Sequence, residues 1–191
     1  DITGNTTINT NTITTSSTQT YGDATSDTIT IGTATTLTTT NSQITFSGTV
    51  DSENSETNSL TLDAGTSEVQ FDAETGGTVG LGAIGITGDL DLDADITSAT
   101  SLSVSTTSNL GADVTTSGTQ TYTGAVTLSA DVNLTGSTIT TNNTVAGGTN
   151  DLTVTGNVVF GNGPTDTVTG VAVLDITGNT TINTNTITTS S

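Results

Sequence analysis

Apolar and polar residues alternate along almost the whole chain. Segments such as TITIG, SLTLDA, EVQFDA, SLSVS and NVVFG place apolar side chains at every second position, which is the pattern of a β-strand with one buried and one solvent-facing surface. Gly, Asn, Asp and Ser separate these segments and are typical of turns. No segment has apolar residues at i, i+3, i+4 and i+7, so the pattern predicts an all-β protein without helices.

The spacing of these segments favours a coiling chain over a sheet of long hairpins. They recur about every seven to ten residues, and the Asn-Gly and Asp-Gly pairs typical of tight hairpins are sparse. We therefore predict a parallel β-helix, or β-solenoid, with short strands and coils of about 22 residues. Tandem β-sandwich domains are the alternative fold, although their more aromatic cores fit poorly with two Tyr, three Phe and no Trp.

The first and last seventeen residues are identical, DITGNTTINTNTITTSS at 1–17 and at 175–191. We interpret 1–174 as one full repeat of a longer array and 175–191 as the start of the next repeat. Eight coils would fill the repeat and would rise about 38 Å at a strand spacing of roughly 4.8 Å. Within the segment, we expect Ile2, Ile8 and Ile13 to face the core. The Thr and Asn residues between them should form ladders, each side chain bonding its equivalent one coil away.

A weaker similarity divides the repeat. The segment TTSSTQTYGDA resembles TTSGTQTYTGA, which aligns Tyr21 with Tyr122, and apolar landmarks follow both tyrosines in the same order. We therefore predict half-repeats at 21–121 and, by extrapolation, at 122–194. The loops differ in length while the strands persist, which a stack of coils tolerates. Each QTY segment is interpreted as a corner of equivalent coils.

Composition restricts the core and the chemistry. Only 29% of the residues are hydrophobic, against roughly 45–50% in a typical globular domain, so a thin apolar file along a solenoid axis is expected. The net charge is −19, with no Lys, Arg, His or Cys. Without cations the chain is not expected to bind nucleic acid, and without a long apolar run it is not expected to insert into a membrane. Without His and Cys, zinc sites and Ser–His or Cys nucleophiles are excluded.

The acidic run DLDLDAD indicates a candidate cation site. On a single strand, Asp89, Asp91, Asp93 and Asp95 would share one face, and Ca²⁺ prefers several carboxylate oxygens. Residues that follow each other on one face lie about 6.8 Å apart, so one ion would need ligands from a neighbouring coil as well. Ca²⁺ at these four residues is therefore a hypothesis beside a plainer one, a solvated face over buried leucines. We expect no other cofactor.

Paired carboxylates could also support glycoside hydrolysis. The candidates are Asp63, Glu68, Asp72 and Glu74. Nothing in the sequence selects a pair, and no Trp is present to stack on a sugar ring. We therefore predict no catalytic residues and no enzymatic activity.

The stretch TSGTQTYTGAVTLSADVNLTGSTITTNNTVAGGTNDLTVTGNVVFGNG, residues 116–163, resembles the β-strand repeat regions of very large bacterial surface proteins. The family it resembles is that of the filamentous-haemagglutinin-like adhesins, and the resemblance covers most of the chain. It implies a right-handed parallel β-helix, an extracellular or cell-surface location, and a role as a stalk, adhesin or filament.

Three functions are compatible with this sequence, and we give them in order of preference. The first is a structural segment of an extracellular bacterial filament, stalk or surface fibre, which associates with itself along the fibre axis or with neighbouring repeats of the same chain. The second is an adhesin module that binds a glycan or another surface, and the third is a carbohydrate-active β-helix enzyme. A binding or catalytic site predicts one irregular region with convergent side chains. The uniform sequence favours the structural role.

Nineteen acids without a base should keep copies of the chain apart at neutral pH. We expect acidification from pH 7 toward the sequence pI of about 4.1 to cause bundling or precipitation, because protonation removes this repulsion. Light scattering during a pH titration measures the effect. A signal that stays flat down to pH 4 would contradict the expectation.

Overall fold

Strands in this protein pair in parallel with the strands about one coil earlier and one coil later. The structure is a computed structural model that describes residues 1–190, and it contains only strands and turns in that range. About nine turns stack into a β-solenoid, as predicted. The parallel pairing excludes the β-sandwich alternative, whose sheets are antiparallel. No helix in residues 1–190 is long and apolar enough to cross a membrane.

Each turn has three sides, which we name A, B and C in the order in which the chain passes them. Side A contains Thr6–Ile8, Thr28–Ile31, Thr49–Ser52, the single residue Thr75, the first parts of Ile96–Val104, Val132–Thr141 and Leu152–Phe160, and the strands Val114–Thr116 and Leu174–Ile176. Side B contains Thr12–Thr14, Thr35–Thr38, Thr119–Tyr122, Thr180–Ile182, the first parts of Leu60–Phe71 and Leu81–Leu92, and the last parts of the three long strands that begin on side A. Side C contains Gln19–Tyr21, Ile44–Phe46, Ser108–Leu110, Val126–Leu128, Val145–Ala146, Thr167–Val171, Thr186–Thr189, and the last parts of the two long strands that begin on side B.

One turn takes about 21 residues, slightly fewer than the sequence spacing predicts. Along side A, the register leads from Thr6 to Ile176 in eight successive steps, each from one turn to the next. The loops at the corners differ in length, so individual turns depart from the mean. The strand register is kept in spite of these differences.

The two identical seventeen-residue segments lie on different sides of the solenoid. Thr6–Ile8 is on side A of the first turn, whereas its copy Thr180–Ile182 is on side B of the ninth. The 174-residue repeat therefore covers 25 sides, or eight and one-third turns, and it rises about 40 Å at roughly 4.8 Å per turn. The prediction of eight whole coils is wrong, because the repeat contains one side more. The predicted rise of about 38 Å is too small for the same reason.

The core is a narrow stack of side chains enclosed by the three sides. On side C, the ring of Tyr21 stacks on Phe46 and that of Phe46 on Phe71, with centroids 5.3 and 5.1 Å apart. The strand register continues this row of stacked side chains through Leu92 and Leu110 in the next two turns. Because each apolar side chain packs against its equivalents above and below, a thin core is continuous through all the turns. A hydrophobic content of 29% is therefore sufficient.

The three isoleucines predicted to face the core differ in burial. Ile8 is 4% exposed and Ile13 is half-buried against the core, but Ile2 is 42% exposed. Ile2 pairs with Tyr21 at the outer edge of the stack. The burial of these positions therefore follows from their place in the stack as well as from their sequence.

Glycine forms sharp corners where the strands of successive turns approach closely. Gly156 has a φ of 135°, a conformation that side chains with a Cβ rarely adopt. A Cβ at this position would also lie 1.8 Å from the carbonyl oxygen of Gly136, one turn earlier. The corner therefore requires glycine for both reasons.

The core also contains hydroxyl groups. Thr75 lies between Val50 and Ile96 in the side-A file and is fully buried. Its Oγ1 has no hydrogen-bond partner among residues 1–190, and neither do the buried hydroxyls of Ser108 and Thr141. A buried polar group without a partner destabilises the folded state by about 1–3 kcal/mol.

We expect Thr75→Val to increase the free energy of unfolding by about 1–3 kcal/mol, because it removes the unpaired hydroxyl and keeps the shape of the side chain. Urea denaturation of the wild type and the variant measures the change. The matched control is Thr115→Val on the exposed face of side A, which should shift stability by less than about 0.5 kcal/mol. A Thr75→Val variant no more stable than this control would contradict the expectation.

Candidate functional site

The acidic residues are distributed unevenly around the solenoid. Of the nineteen, only Asp63 lies on a side-B strand. Many of the others lie along side C or at the corner that leads from side C to side A. At that corner a shallow depression of about 580 Å³ is lined by Glu74, Asp93, Asp95, Asp113 and Asp131. We name these five residues the acidic corner and consider them the candidate functional site.

The acidic corner interrupts the predicted row of four aspartates. Asp89 and Asp91 project outward from side C, but their strand ends at Leu92. The chain then turns through Asp93, and Asp95 directly precedes the side-A strand. The prediction that all four share one face of a strand is therefore wrong, because the chain leaves side C after Leu92 and turns the corner before Asp95.

The acidic corner does not assemble a set of metal ligands. In the described part of the chain, residues 1–190, no three Asp or Glu side chains converge in a geometry that could hold an ion. Asp89 Oδ1 instead accepts hydrogen bonds from Thr107 N and Thr107 Oγ1, at 3.1 and 2.7 Å. Ca²⁺ binding by the run at 89–95 stays a prediction.

Carboxylates at the corners bind the backbone of the next turn. Asp95 Oδ1 accepts a hydrogen bond from Asp113 N at 2.9 Å, and Asp113 Oδ1 accepts one from Asn133 N at 2.8 Å. Asp131 Oδ1 accepts one from Asp151 N, also at 2.8 Å. Hydrogen bonds to ionised acceptors are stronger than those to neutral ones. The negative charges at this corner therefore hold successive turns together in a chain that has no cations.

The predicted ladders of equivalent side chains contain acids and amides rather than threonines. Asn109 Nδ2 donates to Asp91 Oδ1 at 2.8 Å, and Asn133 Nδ2 donates to Asp113 Oδ2 at 3.0 Å. Every side-chain pair that is hydrogen-bonded between turns within residues 1–190 includes an acid or an amide. Stacked hydroxyls are separated by roughly the strand spacing of 4.8 Å, which exceeds a hydrogen bond. Longer side chains bridge this gap, so the prediction of threonine ladders is wrong.

Side C also places one acid opposite another. Glu68 and Asp89 are register partners on adjacent strands. Burial and then the charge of Asp91 raise the pKa of Glu68, while a hydrogen bond of 2.8 Å from Gln43 opposes the rise. Burial also raises the pKa of Asp89, but its hydrogen bonds, above all that from the Thr107 hydroxyl, lower it by more. Glu68 is therefore the less favourably placed charge of the pair.

The four carboxylates considered for hydrolysis are spread around the solenoid. Asp63 lies on side B, Glu68 and Asp72 follow side C, and Glu74 lies at the acidic corner. They occupy two sides and one corner, so the four do not line a common cleft. The structure therefore does not bring together a pair of the kind that glycoside hydrolysis needs.

The QTY segments lie on two buried strands and make the same side-chain contacts. Tyr21 Oη donates to Gln19 Oε1 at 2.8 Å, and Tyr122 Oη donates to Gln120 Oε1 at 3.0 Å. Each glutamine also donates to backbone carbonyls, those of Thr38 and Val114 among them. Burial raises the pKa of Tyr21 to about 12 and also raises the pKa of Tyr122. Tyr21 lies on a strand of side C and Tyr122 on a strand of side B, so the interpretation of the QTY segments as corners of equivalent coils is wrong.

We expect Glu68→Gln to increase the free energy of unfolding at pH 7 by about 0.2–1 kcal/mol, because it removes a like charge opposite Asp89. The gain should shrink on acidification. The raised pKa of Glu68 means that the wild type loses this unfavourable charge as pH falls through the folded-state pKa.

The matched control for this prediction is Glu53→Gln, which removes one charge from an exposed loop. Chemical denaturation at a series of pH values compares both variants with the wild type. Equal effects of the two variants, or a Glu68→Gln effect that does not depend on pH, would refute the prediction.

Comparison with protein-family models, with curated proteins and with solved structures gave no match to this chain.

Proposed function

We propose that this chain is a structural segment of an extracellular bacterial filament, stalk or surface fibre built from tandem repeats. In this role it provides length and stiffness, and its partners are neighbouring repeats of the same chain or further copies stacked along the fibre axis. A cell-surface or extracellular location is part of the proposal.

The continuous register between the two copies of the seventeen-residue segment is the observation that carries the proposal. Thr6–Ile8 on side A of the first turn and its copy Thr180–Ile182 on side B of the ninth belong to one uninterrupted stack of parallel strands. A chain that repeats this unit would continue the same stack, which is how a parallel solenoid lengthens.

The chemistry of the surface supports the same role. Three of the five carboxylates of the acidic corner, those of Asp95, Asp113 and Asp131, accept hydrogen bonds from backbone N–H groups of the next turn, so this part of the corner serves cohesion. The chain also has no Lys or Arg, and trypsin-like proteases, which cut after those residues, have no site in it. Resistance of this kind suits a fibre outside the cell.

An adhesin module is the second candidate, and side B favours it. Its outward rows consist mainly of threonine hydroxyls, such as Thr12, Thr36 and Thr61, with roughly one strand spacing between turns. A surface of hydroxyls with Asp63 as the one acid on its strands offers regular hydrogen-bonding positions to a neutral glycan. A glycan-binding assay with the intact chain tests this candidate.

Chains that contain the 174-residue unit once, twice and three times test the structural proposal. We expect single rods that lengthen by about 40 Å per added unit, measured by electron microscopy, and an unfolding temperature that rises with the number of units. The control joins two units through a flexible Gly-Ser linker and should give two separate short rods. Beads of constant size with an unchanged unfolding temperature would contradict the proposal.

A further inference from the structure

The corners of the solenoid are interchangeable. A glycine followed by Asn or Asp forms the corner from side C to side A at Asn5, from side B to side C at Asp89, and from side A to side B at Asn157. In each case the Oδ1 atom accepts a hydrogen bond from a backbone N–H one turn further on, at 2.9, 3.1 and 3.0 Å respectively. The same local sequence therefore builds all three corners.

The corner that precedes each QTY strand has the same freedom. Gln19 donates to the carbonyl oxygen of Ile13 and to the Thr15 hydroxyl. Gln120 repeats both contacts at the equivalent positions, to Val114 O and to Thr116 Oγ1. The first of these corners leads from side B to side C, and the second leads from side A to side B. A sequence element can therefore lie on a different side without losing its contacts.

We infer that each repeat in an array of this chain is rotated by one side, a third of a turn, relative to the repeat before it. The repeat covers 25 sides, which is one more than eight complete turns of three. Residues on side A of one repeat recur on side B of the next and on side C of the one after. The surface returns to its first direction after three repeats and 25 turns. This inference rests on the proposed array.

The rotation determines how two arrays meet side by side. Side B is the side whose strands contain only one acid, Asp63, so it is the surface on which a second copy of the chain meets the least repulsion. The rotation moves this weakly charged surface to side C in the next repeat and to side A in the one after. No straight stripe of low charge runs along the array, and lateral contact between arrays is limited to one repeat in three.

Paired cysteines test the rotation within the chain itself, which has no native Cys. Thr181, the copy of Thr7, is the register partner of Val159 on side B, at a separation that a disulfide can bridge. We expect Val159→Cys with Thr181→Cys to oxidise to an intramolecular disulfide. The matched pair is Thr155→Cys with Thr181→Cys, in which residue 155 lies on side A. A disulfide in this second pair and none in the first would overturn the inference.

Labels on a three-repeat chain test the rotation in the array. Thr61→Cys places one exposed label on side B of the first unit. We expect the three labels of such a chain to point in three directions, about 40 Å apart along the rod, as seen by electron microscopy of gold-labelled rods. Three labels in one line along the rod would overturn the inference. Separate beads would overturn the proposed array instead of the rotation. The disulfide pairs test the register within a single chain, and their result does not depend on whether the array forms.

Discussion

Parallel backbone pairing between equivalent positions of successive turns is the interaction on which the rest of this structure depends. It satisfies the N–H and C=O groups of a chain that is rich in Thr, Asn and Gly, and it aligns every side chain with its equivalents above and below. An apolar residue is therefore buried as soon as the adjacent turns carry apolar residues in the same file. This is why the stack from Tyr21 through Phe46 to Phe71 can form a core in a chain with so few aromatic residues.

The same pairing explains how the chain tolerates nineteen acids without a single base. At the corners, where the regular strand pairing is interrupted, backbone N–H groups need other acceptors. Asp95, Asp113 and Asp131 supply them from one turn earlier. Where an acid is instead partly buried beside other acids, as Glu68 is, burial and then the charge of Asp91 raise its pKa. Charge in this protein is therefore favourable or unfavourable according to its position in the turn.

Separate turns contribute nearly the same contacts, and the three sides accept the same corner sequences. The repeat length is consequently free to differ from a whole number of turns, because a shift by one side creates no new type of contact. The rotation of successive repeats then follows from simple counting. A binding site on one side of such an array would recur in three directions, whereas a site at the end of the stack would occur once.

The sequence by itself determined the all-β class, the parallel coil and the 174-residue period, because alternation, short spacing and exact repetition are local features of the chain. It also identified Ile8 as a core residue, whereas the QTY segments, expected at corners, lie on strands. The tertiary structure decided the exact length of a turn and that the repeat covers 25 sides. It also decided that Asp89 and Asp95 lie on different sides of a corner. These properties depend on where each corner bends and on which residue one turn away completes its hydrogen bonds, and neither is encoded in a local pattern.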